Sequence, residues 1–435
     1  MSDATFTCPD LTSFCRLDGL GLEVTGQRIE PDRAILACRP VDADDWCRDC
    51  GGQGLIRGSV VRLLSHVPLG WRPTVLHVRL RRYRCIECGR VWRQDTSAAA
   101  EPRSKLSRAA LRWGLEGLVV QHLSMSRIAA GLDVAWNTAN DAVLAEGQRV
   151  LISDLARFDG VKVIGVDEHC WRHTRRGEKY VTVIIDLTPT RDGTGPARLL
   201  DMVEGRSKQV FKTWLAARPR AWRKGIEVVA MDGFTGYKTA AVEELGNATT
   251  VMDPFHVVRL AGEALTRCRQ RVQQDTCGHR GRAGDPLYRA RRTLLTGVDL
   301  LTDKQVARLE ALFADEQHTE VYATWSIYQR LVVAYRHPDK QLGRFLLQGV
   351  IDSVSTGVPR DLVELVSLGR TLHRRAADVL AFFDRPGTSN GPTEAINGRL
   401  EHLRGIALGF RNLTHYIARS LLETGGFKPH LHPAL

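Results

Sequence analysis

Long hydrophobic runs are missing from this sequence. No apolar stretch among its 435 residues approaches the roughly 18 that span a bilayer, so no membrane partner is expected. The opening MSDATFTCPDLTSFCRLDGL has neither the charged nor the apolar region of a signal peptide. A cytosolic protein is therefore expected, with its thiols kept reduced, and its ten cysteines do not imply disulfides. Internal repeats and low-complexity tracts are missing too, which argues against a solenoid or a tail of biased composition. The sequence has no HExxH, the commonest signature of a helical zinc hydrolase. Acid is the scarcer charge: 49 Asp plus Glu stand against 61 Lys plus Arg, a formal charge of +12. That balance suits a polyanionic partner, nucleic acid above all. A basic soluble enzyme is the bland alternative.

What is present is enough for two or three domains, since 43% of the residues are hydrophobic and a normal core can form. Residues 1–98 hold seven of the ten cysteines and several strand-like runs, among them TVLHVRLRRYRC. Residues 104–150 are helical in pattern. From VKVIGVDEHC onward, strands alternate with helices: YVTVIIDLT, ARLLDMVEGR, IEVVAMDGF and ATTVMDPFHVV read as strands. SKQVFKTWLAARP, 237–245 and VVRLAGEALTRCRQRVQ read as helices. Residues 279–385 are helical with almost no strand signal, entered through a Gly/Arg-rich join, HRGRAGDPLYRARR, expected to be a flexible connection. TSNGPTEAINGRLEHLRGIALGF returns to a capped helix.

Cys47 and Cys50 form one CxxC, and Cys85 and Cys88 a second. A glycine follows each second cysteine, and the pairs suit one tetrahedral, structural Zn²⁺ with no open position for catalysis. The long interval reads as a β-hairpin, SVVRLLSHVPLGWRPTVLHVRL, able to bring the pairs together as in a zinc ribbon. The competing reading is two unrelated buried or redox pairs. Cys8, Cys15 and Cys38 have no matching spacing and are taken as core or surface thiols, with Cys38 a possible substitute ligand. Arg79, Arg81, Arg82, Arg84, Arg90 and Arg93 surround the second knuckle. They make either a phosphate-contacting face, with Arg82 and Arg84 foremost, or a solvated charge cluster.

SMSRIAAGLDVAWNTANDAVLAEG reads as a helix-turn-helix. Ser126 is placed as the cap of the first helix, 131–134 as the turn, and 136–146 as the recognition helix. That helix presents Asn137, Thr138, Asn140 and Asp141, short polar side chains able to reach base edges. Any two short packed helices give a similar pattern.

The strand VKVIGVD ends on Asp167, and IEVVAMD ends on Asp232. Glu394 falls in the first turn of the helix that Pro392 and Thr393 open. Two aspartates on neighbouring strand ends and one helical glutamate make a hard-oxygen site for two Mg²⁺ (or Mn²⁺) ions, the chemistry of phosphoryl transfer. Each acid alone reads equally well as a surface or capping residue. Glu168 is taken as a neighbour of the site. His169 and His173 are read as satisfied polar residues or phosphate contacts, with a zinc hydrolase site as the rival. His256 either hydrogen-bonds a phosphate or caps its helix, and Asp253 assists. Trp325 and Tyr328 are read as core residues first and as base-stacking residues second.

These motifs together resemble the DDE transposases of the ISL-three family of bacterial insertion sequences. The resemblance rests on the paired CxxC, IGVDEHCWRH, VVAMDGFTGY, VMDPFHVVRLAGEAL and SNGPTEAINGRLEHLRGIALGFRN, and runs from about Cys47 to Leu422. It implies an α/β fold: a ribonuclease-H-like catalytic core with an α-helical insertion, preceded by a zinc-ribbon-like domain and a helix-turn-helix. The domains would be 1–98, zinc-binding; 104–150, helix-turn-helix; 160–278, first part of the core; 279–385, insertion; and 386–424, the helix with the catalytic glutamate. The catalytic triad would be Asp167, Asp232 and Glu394. The implied function is binding of an element's terminal inverted repeats, metal-dependent cleavage, and transfer of the 3′-hydroxyl ends into target DNA by a homodimer on double-stranded DNA in the bacterial nucleoid. Where relatives carry a basic run after the Asn, this chain reads GRLEHLRG with Glu401 and His402, leaving Arg399, Arg404 and Arg411 as DNA contacts. Two other readings stand beside this one: a ribonuclease-H-like nuclease without strand transfer, and a non-enzymatic DNA-binding regulator derived from a transposase.

Overall fold

In a computed structural model of the chain, residues 9–173 and 177–431 are described. Cys8 lies outside them. The chain divides into two compact units, one of residues 1–157 with 405–435 and the other of 158–404. No helix among the described residues is long and apolar enough to cross a membrane.

Alternation builds the sheet of the first unit. In β4 (Arg72–Cys85) Thr74, Leu76, Val78 and Leu80 point inward, and His77, Arg79 and Arg81 point outward. β4 pairs antiparallel with β3 (Gly54–Leu69) through a turn at Gly70 and Trp71, both with left-handed φ of 55° and 67°. It pairs in parallel with β2 (Ala34–Pro40), which pairs antiparallel with β1 (Leu22–Ile29). The short β5 (Val91–Arg93) pairs with the end of β4. Leu17, Leu36, Leu64, Leu76 and Val78 form the core on the inner face.

Helices Arg108–Val119, Met125–Gly131, Trp136–Gly147 and Leu413–Thr424 belong to the same unit. The cap of the second is Ser124, whose Oγ accepts from the Arg127 amide at 3.4 Å, so Ser126 is not the cap. Starting the helix earlier brings Met125 onto its buried face with Ile128 and Ala129.

The second unit carries a five-stranded sheet. β6 (Val163–Cys170) pairs antiparallel with β7 (Tyr180–Asp186), and β7 with β8 (Arg198–Glu204). On its other side β6 pairs in parallel with β9 (Val228–Met231), and β9 with β10 (Thr249–Met252). The first four residues of β6 are buried, which is why the run reads as continuously apolar. Helices Lys208–Ala216 and Thr235–Leu245 lay Phe211, Trp214 and Tyr237 on Ile164, Val166, Val229 and Met231. A helix at Arg220–Gly225, after Pro219, is an element the sequence reading does not contain.

Asp253 caps the 24-residue helix Pro254–Cys277, with Pro254 in its first turn and Gly278 closing it at φ 72°. This start is earlier than the residues around Val257 that periodicity suggests. Beyond it, helices Asp303–Phe313, Thr319–Arg336, Lys340–Thr356, Val363–Arg374 and Ala376–Asp384 share a core with Leu265 and Cys268. The Gly/Arg-rich join is not a plain flexible connection: Pro286–Ala290 is helical, and Leu287 and Ala290 are buried in that core. Helix Gly391–Ile406 then brings the chain back to the sheet.

Candidate active site

Register decides where the acids stand. Val166 pairs with Met231, and Met231 with Met252. The next residue in each strand direction is an aspartate: Asp167, Asp232 and Asp253. Three neighbouring strands therefore deliver three carboxylates to one level of one sheet edge. β6 does not stop at Asp167, as the sequence suggests, but runs to Cys170 because β7 continues to pair with it.

Helix Gly391–Ile406 is docked onto this edge through three contacts. Asp253, 1% exposed, accepts from the Asn390 amide at 2.8 Å and from Ser389 Oγ at 3.2 Å. Gly165 leaves room for the helix start: a Cβ there would come within 2.7 Å of Thr393 Oγ1. Asn397 Nδ2 donates to Asp167 Oδ2 at 2.9 Å. Glu394 lies three residues before Asn397, on the same helix face. A ligand oxygen of Glu394 stands within 4.8 Å of ligand atoms of both Asp253 and His256, which are as close to each other.

The electrostatics follow from burial. Asp167 is pushed up to about 7 by burial first, with the nearby Asp232 and Glu168 carboxylates adding to it. Burial also acts to raise Asp253, but the His256 imidazole beside it and the hydrogen bonds from the Asn390 amide and Ser389 Oγ outweigh it and hold the carboxyl below its ordinary range. His256, 8% exposed, is raised chiefly by the Asp253 carboxylate, 3.6 Å from its Nδ1. Asp232 accepts from the Phe234 amide at 2.8 Å and opens onto a cleft of about 950 Å³. Glu168 gives both oxygens to Arg206, at 3.0 and 3.1 Å.

Asn397 Oδ1 is buried with no hydrogen-bond partner. A half-buried carboxylate with a raised pKa and an orphaned amide oxygen beside it are groups that a hard cation satisfies. Asp167, Asp232, Glu394 and this amide offer only oxygen, the donor type that suits magnesium or manganese, but among the described residues Glu394 closes to within 4.8 Å on Asp253 and His256 and does not form such a group with Asp167 and Asp232. His169 is buried and pushed down to about 4 by burial. His173 is exposed, 3.6 Å from Cys170 Sγ, and the described residues bring no third ligand to the two histidines.

In the first unit the β3–β4 register sets Gly54 opposite Cys85 and so closes the gap between the CxxC pairs. The four sulfurs of Cys47, Cys50, Cys85 and Cys88 lie within 4.8 Å of one another. Gly51 and Gly89 follow the second cysteines at φ 73° and 76°, which is the turn glycine permits. The Cys88 and Glu87 amides point at Cys85 Sγ, at 3.5 and 3.4 Å, and together bring that thiol down to about 7. Cys15 and Cys38 are buried away from this group, and burial raises Cys38 to about 12.

The nucleic-acid candidates divide. Arg82 and Arg84 are exposed, Arg82 opposite Arg93 on β5, and by the alternation of β4 they face the other way from Arg79 and Arg81. Asn137 is exposed and Thr138 half-buried at the start of helix Trp136–Gly147. Asn140 is corrected: it is 3% exposed and its amide donates to Asp141 and contacts His415, so it cannot reach a base. Arg404 donates to the Cys170 carbonyl at 2.8 Å and pairs with Glu401, which ties its helix to the end of β6. Arg399 and Arg411 are exposed. Tyr328 is buried with its hydroxyl on the Leu295 carbonyl, and Trp325 packs on Phe313 and Tyr322, so both are core residues and the stacking reading falls. Sequence reasoning missed Ser389, Asn390 and Asn397; the one signal was the spacing from Glu394 to Asn397, which puts both on one face.

Residues 164–420, more than half of the chain, match a family model described as a transposase, of DDE type and the ISL-three group. The chain is 25% identical over 337 residues to a Mycobacterium tuberculosis protein described as the transposase for insertion sequence element IS1557, covering 72% of each. It is 24% identical over 304 residues to the Bordetella parapertussis transposase for insertion sequence element IS1001, covering 69% of this chain and 70% of that one. The chain belongs to the ISL-three family of DDE transposases.

Proposed function

We propose that this protein binds the terminal inverted repeats of an insertion sequence, cleaves them by Mg²⁺- or Mn²⁺-dependent hydrolysis, and transfers the freed 3′-hydroxyl ends into target DNA. The observation that carries the reading is the alignment of Asp167 and Asp232 on paired strands, with the helix of Glu394 tied to Asp167 through Asn397. These three acids hold the cations. Divalent ions, when bound there, activate the attacking oxygen and stabilise the leaving one. Asn397 fixes the orientation of Asp167 and favours its ionised form. His256, kept basic by Asp253 and aimed at the same edge, donates to a phosphate oxygen of the bound strand.

The antiparallel run β6–β7–β8, with β9 and β10 returning in parallel beyond β6, supports a ribonuclease-H-like core. The helical residues 279–385 are its insertion, and the glutamate comes from 386–424, of which residues from 405 on pack with the first unit. The four thiolates, two exposed and two buried, hold a structural Zn²⁺ in 1–98. Arg82 and Arg84 contact phosphates, Asn137 and Thr138 of 104–150 read the groove, and Arg399 and Arg411 add contacts to the DNA backbone. Two element ends call for a homodimer on double-stranded DNA.

The test is a Mg²⁺-dependent cleavage and joining assay on labelled DNA made from the sequences that flank the gene, wild type beside Asp232→Asn. Specific nicks and joined products, both lost in the variant, support the reading. Nicks without joined products would favour a nuclease, and binding without cleavage a regulator.

A further inference from the structure

The cleft beside Asp232 holds more than three carboxylates need. Its volume of about 950 Å³ is that of a site for a whole ligand, roughly 300–1,000 Å³. The acids at its rim already have cations. Glu168 is held by Arg206, and Glu243 by Lys208 and Lys212 at 2.6 and 2.8 Å. The guanidinium groups inside it are less engaged. Among the described residues Arg374 has no ion pair, and Arg259 has only a 3.7 Å approach to Glu263. Arg375, 7% exposed, uses Nε on Asp378 and Nη1 on the Gly233 carbonyl, and its Nη2 is buried without a partner.

Phe234 supplies the other half. It follows Asp232 by two residues and is 43% exposed. Its edge-on contact with Tyr237, at 5.0 Å and 82°, holds the ring in place. Gly236 lets the ring lie against the first turn of its helix, where a Cβ would come within 2.3 Å of it. The ring is thus braced on one side and open on the other, with Val242 and Leu260 as apolar surface nearby. An aromatic face, an apolar floor and under-used guanidiniums match a base and its phosphate. A volume of about 950 Å³ admits one nucleotide and not a length of duplex.

We propose that this cleft takes one unpaired nucleotide from the DNA end, adjacent to the phosphodiester held at Asp232, with its base stacked on Phe234 and its phosphate met by Arg374 and Arg375. This rests on the transposase reading above. Its cost is the unstacking of one base pair, and its gain is an element end anchored by a single nucleotide.

The experiment uses the full chain and an element-end duplex in which 2-aminopurine replaces each nucleotide around the cleavage point in turn. Fluorescence should rise at one position on binding, with wild type and with Asp232→Asn alike. Phe234→Leu keeps bulk without a π-face and should cleave at least about fivefold more slowly, the lower end of a base-on-aromatic stack. Phe234→Trp, which keeps a π-face, should cleave faster than Phe234→Leu. An abasic nucleotide at the responding position should remove the difference between Phe234→Leu and wild type. Ends that are bound and nicked with no 2-aminopurine response, or a Phe234→Leu protein that cleaves at the wild-type rate, overturn the proposal. If the wild type neither binds nor nicks the ends, the transposase reading has failed and this proposal goes with it.

Discussion

The cysteine group of the first unit and the carboxylate edge of the second are both sets of metal-type ligands, but they are built on different length scales. The cysteines come in two CxxC pairs joined by one hairpin, and a single register, Gly54 opposite Cys85, brings them together. The carboxylates come from three strands and a helix that begins more than 200 residues after Asp167, held by Asp253, Asn390 and Asn397. The supporting donors differ as well. Backbone amides serve Cys85, whereas Asp167 has both a backbone donor, the Glu168 amide at 2.8 Å, and a side-chain donor, the Asn397 amide. A ligand group closed by local geometry owes its stability to its metal. One closed by distant parts of a fold inherits stability from that fold and spends little on the ligands themselves.

The sharpest way to break this contrast is to remove each metal group in turn. Cys85→Ser, or a strong chelator, should unfold the sheet β1–β5, because structural zinc in small metal domains contributes about 10–16 kcal/mol in apparent terms. Hydrogen exchange should show lost protection in β3 and β4 with β6 and β9 unchanged, and elemental analysis should show one zinc lost per chain. Equal protection in both sheets after removal would show that the cysteine group is not what holds its sheet. Asp232→Asn should do the opposite. Cleavage should fall about a thousandfold, since the loss of several kcal/mol of charge stabilisation is worth that in rate. Its melting temperature should stay within a degree or two of wild type, as Asp232 is half-exposed and its one described hydrogen bond, from the Phe234 amide, survives in the amide.

The same length scales explain what could be read without a structure. The cysteine grouping was legible because CxxC spacing and a following glycine are local facts. The strands β6, β7 and β9 were legible because buried strands are continuous apolar runs. The contacts of the polar residues were not. Nothing local says that Asn140 faces His415, that Arg404 caps the end of β6, or that Asp253 holds Asn390. Each partner is more than 100 residues away, and one sequence carries no record of pairing. The first reading of Trp325 and Tyr328 as core residues holds, because their helix packs into the helical core, whereas the exposure of Phe234 beside Asp232 had no local signal.

A smaller effect tests whether the first unit depends on its cysteines alone. His66 is 1% exposed, bonded to Ser107 Oγ at 2.9 Å, and pushed down to about 4 from 6.5 by burial. The folded form therefore resists a proton that the unfolded form accepts. The stability this confers is fully present above about pH 6.5 and is lost as pH falls towards 4. The loss is on the order of 3 kcal/mol at most. His66→Gln should flatten that part of the stability profile of the first unit. An unchanged profile in the variant would assign the acid sensitivity to the thiolates instead.

The smallest effect is the most specific to the carboxylate edge. Asn397→Ala removes the donor to Asp167 Oδ2. A hydrogen bond to the charged form holds a carboxyl down, so its loss raises Asp167 further above its present value of about 7. More of the protein then carries a protonated Asp167 at neutral pH, and cation binding weakens. Partners of this kind are worth about 10–100-fold in affinity or activity. The acid limb of the cleavage profile should move to higher pH, and added Mg²⁺ or a more alkaline buffer should recover most of the lost rate. Asn397→Asp, which sets a carboxylate against Asp167, should move the limb in the same direction and further. A purely structural Asn397 would lower the rate equally at every pH. No matching variant exists at Cys85, whose donors are backbone amides that substitution does not remove, so the cysteine group has no side chain through which its ligands can be tuned.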